Sequence, residues 1–103
     1  MSRTIKRFRG GYVIETDDGY RVFVKFVERR KHFMRRNRSW AISLQIVQEL
    51  NKLEVDSIEL HITDEQQVIV VDMSVFNAKS TIERYPPFEE QAFLHEGYWA
   101  VMG

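Results

Sequence analysis

The chain has 103 residues, 44% of them apolar, no cysteine, and 15 bases balanced by 15 acids. That length is one domain's worth and buries enough surface to fold without a metal or a crosslink. The missing cysteines exclude disulfide frameworks, thiolate zinc sites and cysteine nucleophiles, and they fit a cytoplasmic setting.

A single domain over residues 1–103 is expected, because no repeat, low-complexity tract or linker interrupts the chain. The opening MSRTIKR lacks the apolar stretch of a secretory leader. The longest aliphatic run, residues 68–71, is too short to span a bilayer. No membrane partner is therefore expected.

The first third reads as a three-stranded meander. Gly10 and Gly11 supply a two-residue turn, since glycine tolerates φ > 0. That turn pairs Phe8 with Val13 and Lys6 with Glu15. The second turn contains Asp17, Asp18 and Gly19. A two-residue turn at Asp18-Gly19 competes with a three-residue loop closed by Gly19. The loop is preferred, and it sets Ile14 against Val22 and Tyr12 against Val24. Ile5, Tyr12, Ile14, Tyr20, Val22, Val24 and Phe26 then share one face, which reads as core, although Arg7 and Arg9 also fall on it and fit there only at a sheet edge. Lys6, Phe8, Val13, Glu15, Arg21, Phe23, Lys25 and Val27 share the other.

Residues 28–38 form a basic run, read as a loop or an extra helical turn. Ser39 is a candidate helix N-cap, because Ile42, Ile46, Leu50 and Leu53 recur at helical spacing. A hairpin follows. Residues 57–63 alternate apolar and polar, Asp64-Glu65-Gln66-Gln67 is the turn, and residues 68–73 return. Symmetric pairing about that turn sets Ile58 against Met73 and Glu59 against Asp72. After Phe76 the chain reads as irregular, with Pro86-Pro87 barring regular structure. Residues 91–94 and 98–102 each read as a short strand or a helical turn. The order β-β-β-α-β-β gives an α+β fold: a small antiparallel or mixed sheet with one main helix packed on one face.

The charges are segregated. Residues 1–39 hold 12 Lys or Arg against four acids, a net +8, and the remainder is −8. Such asymmetry suggests a partner for one pole. The competing reading is that the poles neutralise each other within the fold. Lys6, Phe8, Arg21, Phe23 and Lys25 make a basic-aromatic sheet face, and Arg29, Arg30, Lys31, Arg35 and Arg36 extend it. Single-stranded nucleic acid binds such surfaces, because rings stack on bases and cations meet phosphates. The same face covered by the C-terminal segment would be core instead.

These features point to a small non-enzymatic binding module that contacts nucleic acid through its basic half. The alternative is a protein-interaction module docking through Tyr85, Phe88, Phe93, Tyr98 and Trp99, since aromatics concentrate at interface cores. Open sheet edges also allow a homodimer. A metal-dependent nuclease built on Glu59, His61 and Asp72 is the third reading. No glycine-rich phosphate loop or nucleophile elbow is present, and no cofactor is expected.

Overall fold

The computed structural model describes residues 1–84, 86 and 89–102. It is an α+β fold of mostly strand, with a six-stranded mixed sheet, a four-stranded antiparallel sheet and three short helices. The larger sheet contains β1 (Arg3–Phe8), β2 (Gly11–Glu15), β3 (Arg21–Val27), β6 (Ser57–Ile62), β7 (Gln67–Asp72) and β10 (Ala100–Val101), in the order β1-β2-β3-β6-β7-β10. The smaller runs β4-β5-β9-β8, from Phe33–Met34, Ser39–Ser43, Glu90–His95 and Thr81–Arg84. The helices are α1 (Arg29–His32), α2 (Leu44–Lys52) and α3 (Met73–Lys79).

The second sheet was not foreseen, and neither was the late start of the main helix. Trp40 and Ile42 are both buried on one side of residues 39–43, so this stretch follows the two-residue period of a strand. Ser39 is thus the first residue of β5, and the helix starts at Leu44 with Ser43 in the N-cap position. The basic run is a single helical turn, α1, followed by a hairpin whose tip is residues 35–38. Met73, expected to end the returning strand, instead begins a helix that runs to Lys79, into the stretch read as irregular after Phe76, and residues 90–95 form a central strand of the smaller sheet.

The loop after β2 takes the preferred register: Tyr12 faces Val24, Ile14 faces Val22 and Glu15 faces Arg21. Gly19 closes it at φ +84°. The first hairpin differs from its expected pairing. Phe8 faces Gly11 and Lys6 faces Val13, so the turn residues are Arg9 and Gly10, with Gly10 at φ +82°. Gly11 belongs to the strand, and that position requires glycine, because a Cβ there would lie 2.4 Å from the Val24 carbonyl oxygen and 3.0 Å from the Phe23 ring. A bulge between Thr4 and Lys6 lets Ile5 pack against the core. The β6–β7 hairpin is also shifted: its four turn residues are 63–66 rather than 64–67. Ile58 faces Val71, Glu59 faces Val70 and His61 faces Val68. Glu59 and Asp72 therefore do not oppose each other, and the carboxylate pair inferred from the symmetric register is absent.

The meander turns the opposite face inward from the one assigned to the core. Val13, Phe23 and Val27 join Ile58, Leu60, Ile62, Ile69 and Val71 in one buried cluster. Trp40 and Ile42 from β5, Ala92 and Leu94 from β9, Val47 and Leu50 from α2, and Met73 and Phe76 from α3 complete it. Alternation could not decide the direction, because both faces of β3 are apolar. The cations on the inner face reach its rim and keep their heads in polar company. Lys6 meets Glu49 at 3.2 Å, and Arg21 meets Glu15 at 2.8 Å and donates to the Leu53 carbonyl at 2.6 Å.

Lys25 is the exception. It lies half-buried on the inner side of β3 and forms no ion pair with a described residue. Burial pushes its ammonium below the usual lysine value of 10.5. Between the folded and unfolded values the unfolded chain holds more protons, so stability rises with pH across that window. Lys25→Met should therefore stabilise the domain at pH 7 by roughly 1 kcal/mol. Thermal melts should show that advantage shrinking as the pH climbs towards 10.5.

Candidate nucleic-acid interface

The expected platform residues are dispersed rather than gathered. Phe23 is fully buried and receives Phe8 edge-on, with ring centroids 5.6 Å apart, so it offers no face to a base. Lys6 and Arg21 are engaged as described, and Lys25 faces inward. Arg30 and Lys31 share Glu28 at 3.3 and 3.6 Å. Arg35 and Arg36 are exposed at the β4–β5 tip and pair with no described acid. Of the expected protein-docking residues, Phe93 and Trp99 are buried, and Trp99 packs edge-on against Phe76. Tyr98 is 47% exposed. Tyr85 and Phe88 lie outside the described residues.

Arg29 is the hub of the basic run. Its guanidinium bridges Glu65 at 2.9 Å and Glu96 at 2.6 Å, and lies over the rings of Phe33 at 4.6 Å and Trp40 at 5.3 Å. The side chain keeps 25% of its exposure, so these contacts are only partly screened. The backbone N–H groups of Arg29 and Arg30 donate to Asp64 at 2.9 and 3.3 Å. The Arg29 amide leads in holding the Asp64 carboxyl below its usual range. One arginine thus fastens the turn after β6, the start of the basic run and the segment after β9. Part of the positive pole is neutralised by the acidic remainder, as the competing reading held.

A different aromatic row is displayed. On the outer face of the larger sheet, Tyr12, Phe26 and His61 lie side by side across β2, β3 and β6. Ring centroids are 6.1 Å apart for Tyr12 and Phe26 and 5.3 Å for Phe26 and His61. Phe26 is 45% exposed. None of the three joins the core cluster. Val22 and Val24, on the same face, are buried yet also stand outside that cluster. Arg7 sits opposite Tyr12 on β1 and Arg9 is at the adjoining turn; both are exposed and neither pairs with a described acid. The Phe26 N–H donates to the Gly10 carbonyl at 3.0 Å, which fixes that turn beside the ring row.

Next to the row, His61 Nε2 and Glu59 Oε1 are 3.2 Å apart. Phe26, His61, Thr63, Gln66, Gln67 and Val68 line a shallow groove of about 290 Å3 at the end of the sheet. Among the described residues, no three His, Asp or Glu side chains gather to hold a metal ion. No described helix is long and apolar enough to cross a membrane. Sequence reasoning had Tyr12 and Phe26 on one face but placed that face inward. Arg7, which shares the face and resists burial, was the opposing signal, and it was set aside as a sheet-edge residue.

No family model, curated protein or solved structure matches this chain. The Arg29 hub is open to a direct test. Arg29→Ala should cost about 2–3 kcal/mol, between the worth of an exposed ion pair and the loss of one partner of a buried one. Arg29→Lys should recover only part of this in urea unfolding, because an ammonium lacks the planar fork that spans two carboxylates and stacks on rings.

Proposed function

We propose that this protein is a binding module that takes single-stranded nucleic acid across the outer face of its six-stranded sheet. The ring row of Tyr12, Phe26 and His61, with Phe26 exposed between two half-buried neighbours, carries the reading. Bases stack on exposed rings whatever their identity, since every base has a π-face, and cations beside the rings meet the phosphates. Arg7 and Arg9 flank the row without a described partner of their own. Arg35 and Arg36 form a second unpaired basic group at the β4–β5 tip. The residues expected to act from the opposite face, Phe8 and Phe23, instead support the sheet from below.

A second reading, docking of a protein strand, is favoured by one observation. At the β10 edge, Tyr98, Val101 (62% exposed) and Met102 (48% exposed) leave apolar side chains open to solvent. An extended segment could add to that edge by main-chain hydrogen bonds. Phe93 and Trp99 would take part only by supporting the edge from within.

Fluorescence anisotropy with labelled 12-nucleotide RNA and DNA separates the two. The parent should bind, with affinity falling steeply as salt rises, because condensed counterions are released. Phe26→Ala should weaken binding about 5- to 100-fold, the loss of one stacked base, while circular dichroism shows the fold retained. Arg7→Glu with Arg9→Glu should flatten the salt slope. Absence of binding at 50 mM salt, or a Phe26→Ala variant that binds like the parent, would refute the proposal.

A further inference from the structure

We infer that the tip of the β4–β5 hairpin is a second phosphate contact, and that a nucleic acid bound on the ring row runs on to reach it. This inference rests on the nucleic-acid reading and gives that site a second anchor. Met34 faces Ser39, so the hairpin turns through residues 35–38. All four are exposed, and three of them are arginines. Arg38 pairs with Glu96 at 3.7 Å. Arg35 and Arg36 pair with no described acid, which leaves two adjacent residues with free guanidinium groups. A guanidinium offers a planar fork of donors that matches phosphate oxygens.

The backbone of the tip is held in place. Arg38 takes φ +50°, in the left-handed region that disfavours a bulky side chain. The Glu96 N–H donates to the Arg38 carbonyl at 2.8 Å, while the Glu96 carboxylate meets the Arg38 guanidinium. The hydroxyl of buried Ser39 donates to the Asn37 carbonyl at 2.9 Å. Behind the tip, the Phe33 and Trp40 rings pack with centroids 5.0 Å apart, and the Arg29 guanidinium lies over both. A loop fixed in this way has less ordering entropy to lose when Arg35 and Arg36 engage an anion.

The same contacts tie the tip to the ring row. Phe26 and His61 lie at the end of the larger sheet where the turn after β6 begins, and Glu65 belongs to that turn. Arg29 joins Glu65 to Glu96, and Glu96 joins Arg38. The ring row and the tip are thus linked through the Arg29 hub. The acids around this hub are Glu28, Asp64, Glu65 and Glu96. Each is engaged by a side chain or a backbone amide of the basic run. A phosphate chain passing over the hub therefore meets little uncompensated negative charge. Unpaired cations stand at the two ends of the linkage, Arg7 and Arg9 beside the rings and Arg35 and Arg36 at the tip.

Titrations with 4- and 12-nucleotide oligo(dT) test the second anchor. Even at the rise of a duplex strand, about 3.4 Å per nucleotide, the 12-mer spans about 41 Å. That exceeds the 39 Å long axis of the domain, so the 12-mer can touch both places. About four nucleotides fill the smallest sites of this kind, so the 4-mer serves the ring row alone. Arg35→Gln with Arg36→Gln should weaken the 12-mer about 10- to 100-fold at about 50 mM salt. It should also reduce the steepness of the logarithmic salt slope by about 1.4, the share of two phosphates on a single strand. The 4-mer should bind this double variant as it binds the parent, with circular dichroism unchanged. If the double variant keeps the parent's affinity for the 12-mer, or weakens both lengths equally, the second anchor is wrong while the sheet-face reading stands. If neither length binds the parent at low salt, both fall.

Discussion

The structure depends on the parallel pairing of β3 with β6. Phe23 lies beside Ile58, Lys25 beside Leu60 and Val27 beside Ile62. Parallel neighbours cannot be joined by a tight turn, so the chain must leave the sheet and come back. Residues 28–56 make that excursion, and they hold α1, β4, β5 and α2. The excursion delivers Trp40, Ile42, Val47 and Leu50 to the buried cluster. Strands β8 and β9, from later in the chain, complete the smaller sheet around β5. The need to cross over is thus met by the same segment that supplies the inner cover.

That arrangement spends the covering elements on one side. Strands within a parallel pair are usually buried on both faces and read as continuous apolar runs. Residues 21–27, Arg-Val-Phe-Val-Lys-Phe-Val, follow this pattern. Yet α2, α3 and the smaller sheet all contribute to the cluster on the Phe23 side. On the other side Val22 and Val24 are shielded while Phe26 stays open. A strand made for two covers and given one leaves an apolar face flanked by Arg7 and Arg9. The proposed interface follows from the topology rather than from a loop added to it.

Much of the fold was legible in the residues. Gly19 after two aspartates fixed the second turn, and the alternation of Ile58, Leu60 and Ile62 fixed β6 with its buried side. Other parts were not, for physical reasons. Hairpin registers two residues apart leave every side chain on the same face, so alternation could not tell Ile58–Met73 from Ile58–Val71. Ile42 fits both a helical stripe with Ile46 and a strand stripe with Trp40, and the tertiary pairing with Ala92 decided for the strand. The direction of the meander depended on where the crossover packs, which no local pattern encodes. The site inherited that ambiguity: its ring types were visible, but not the side they would occupy. The Arg29 bridges span 36 and 67 positions along the chain, beyond the reach of any short-range pattern.

The two rims of the larger sheet bear on whether such an open apolar face can be kept in solution. Strand β1 forms one rim, and Arg3, Lys6 and Arg7 occupy half of its six positions. A second copy approaching it edge-on would bring cations against cations, a common natural guard against edge-to-edge growth. The opposite rim, β10, is only two residues long, which gives room for one short docked segment but is too brief to template a growing stack of copies. Lateral polymerisation is therefore blocked at both ends by charge and by brevity, and the ring row around Phe26 can remain available without seeding fibres.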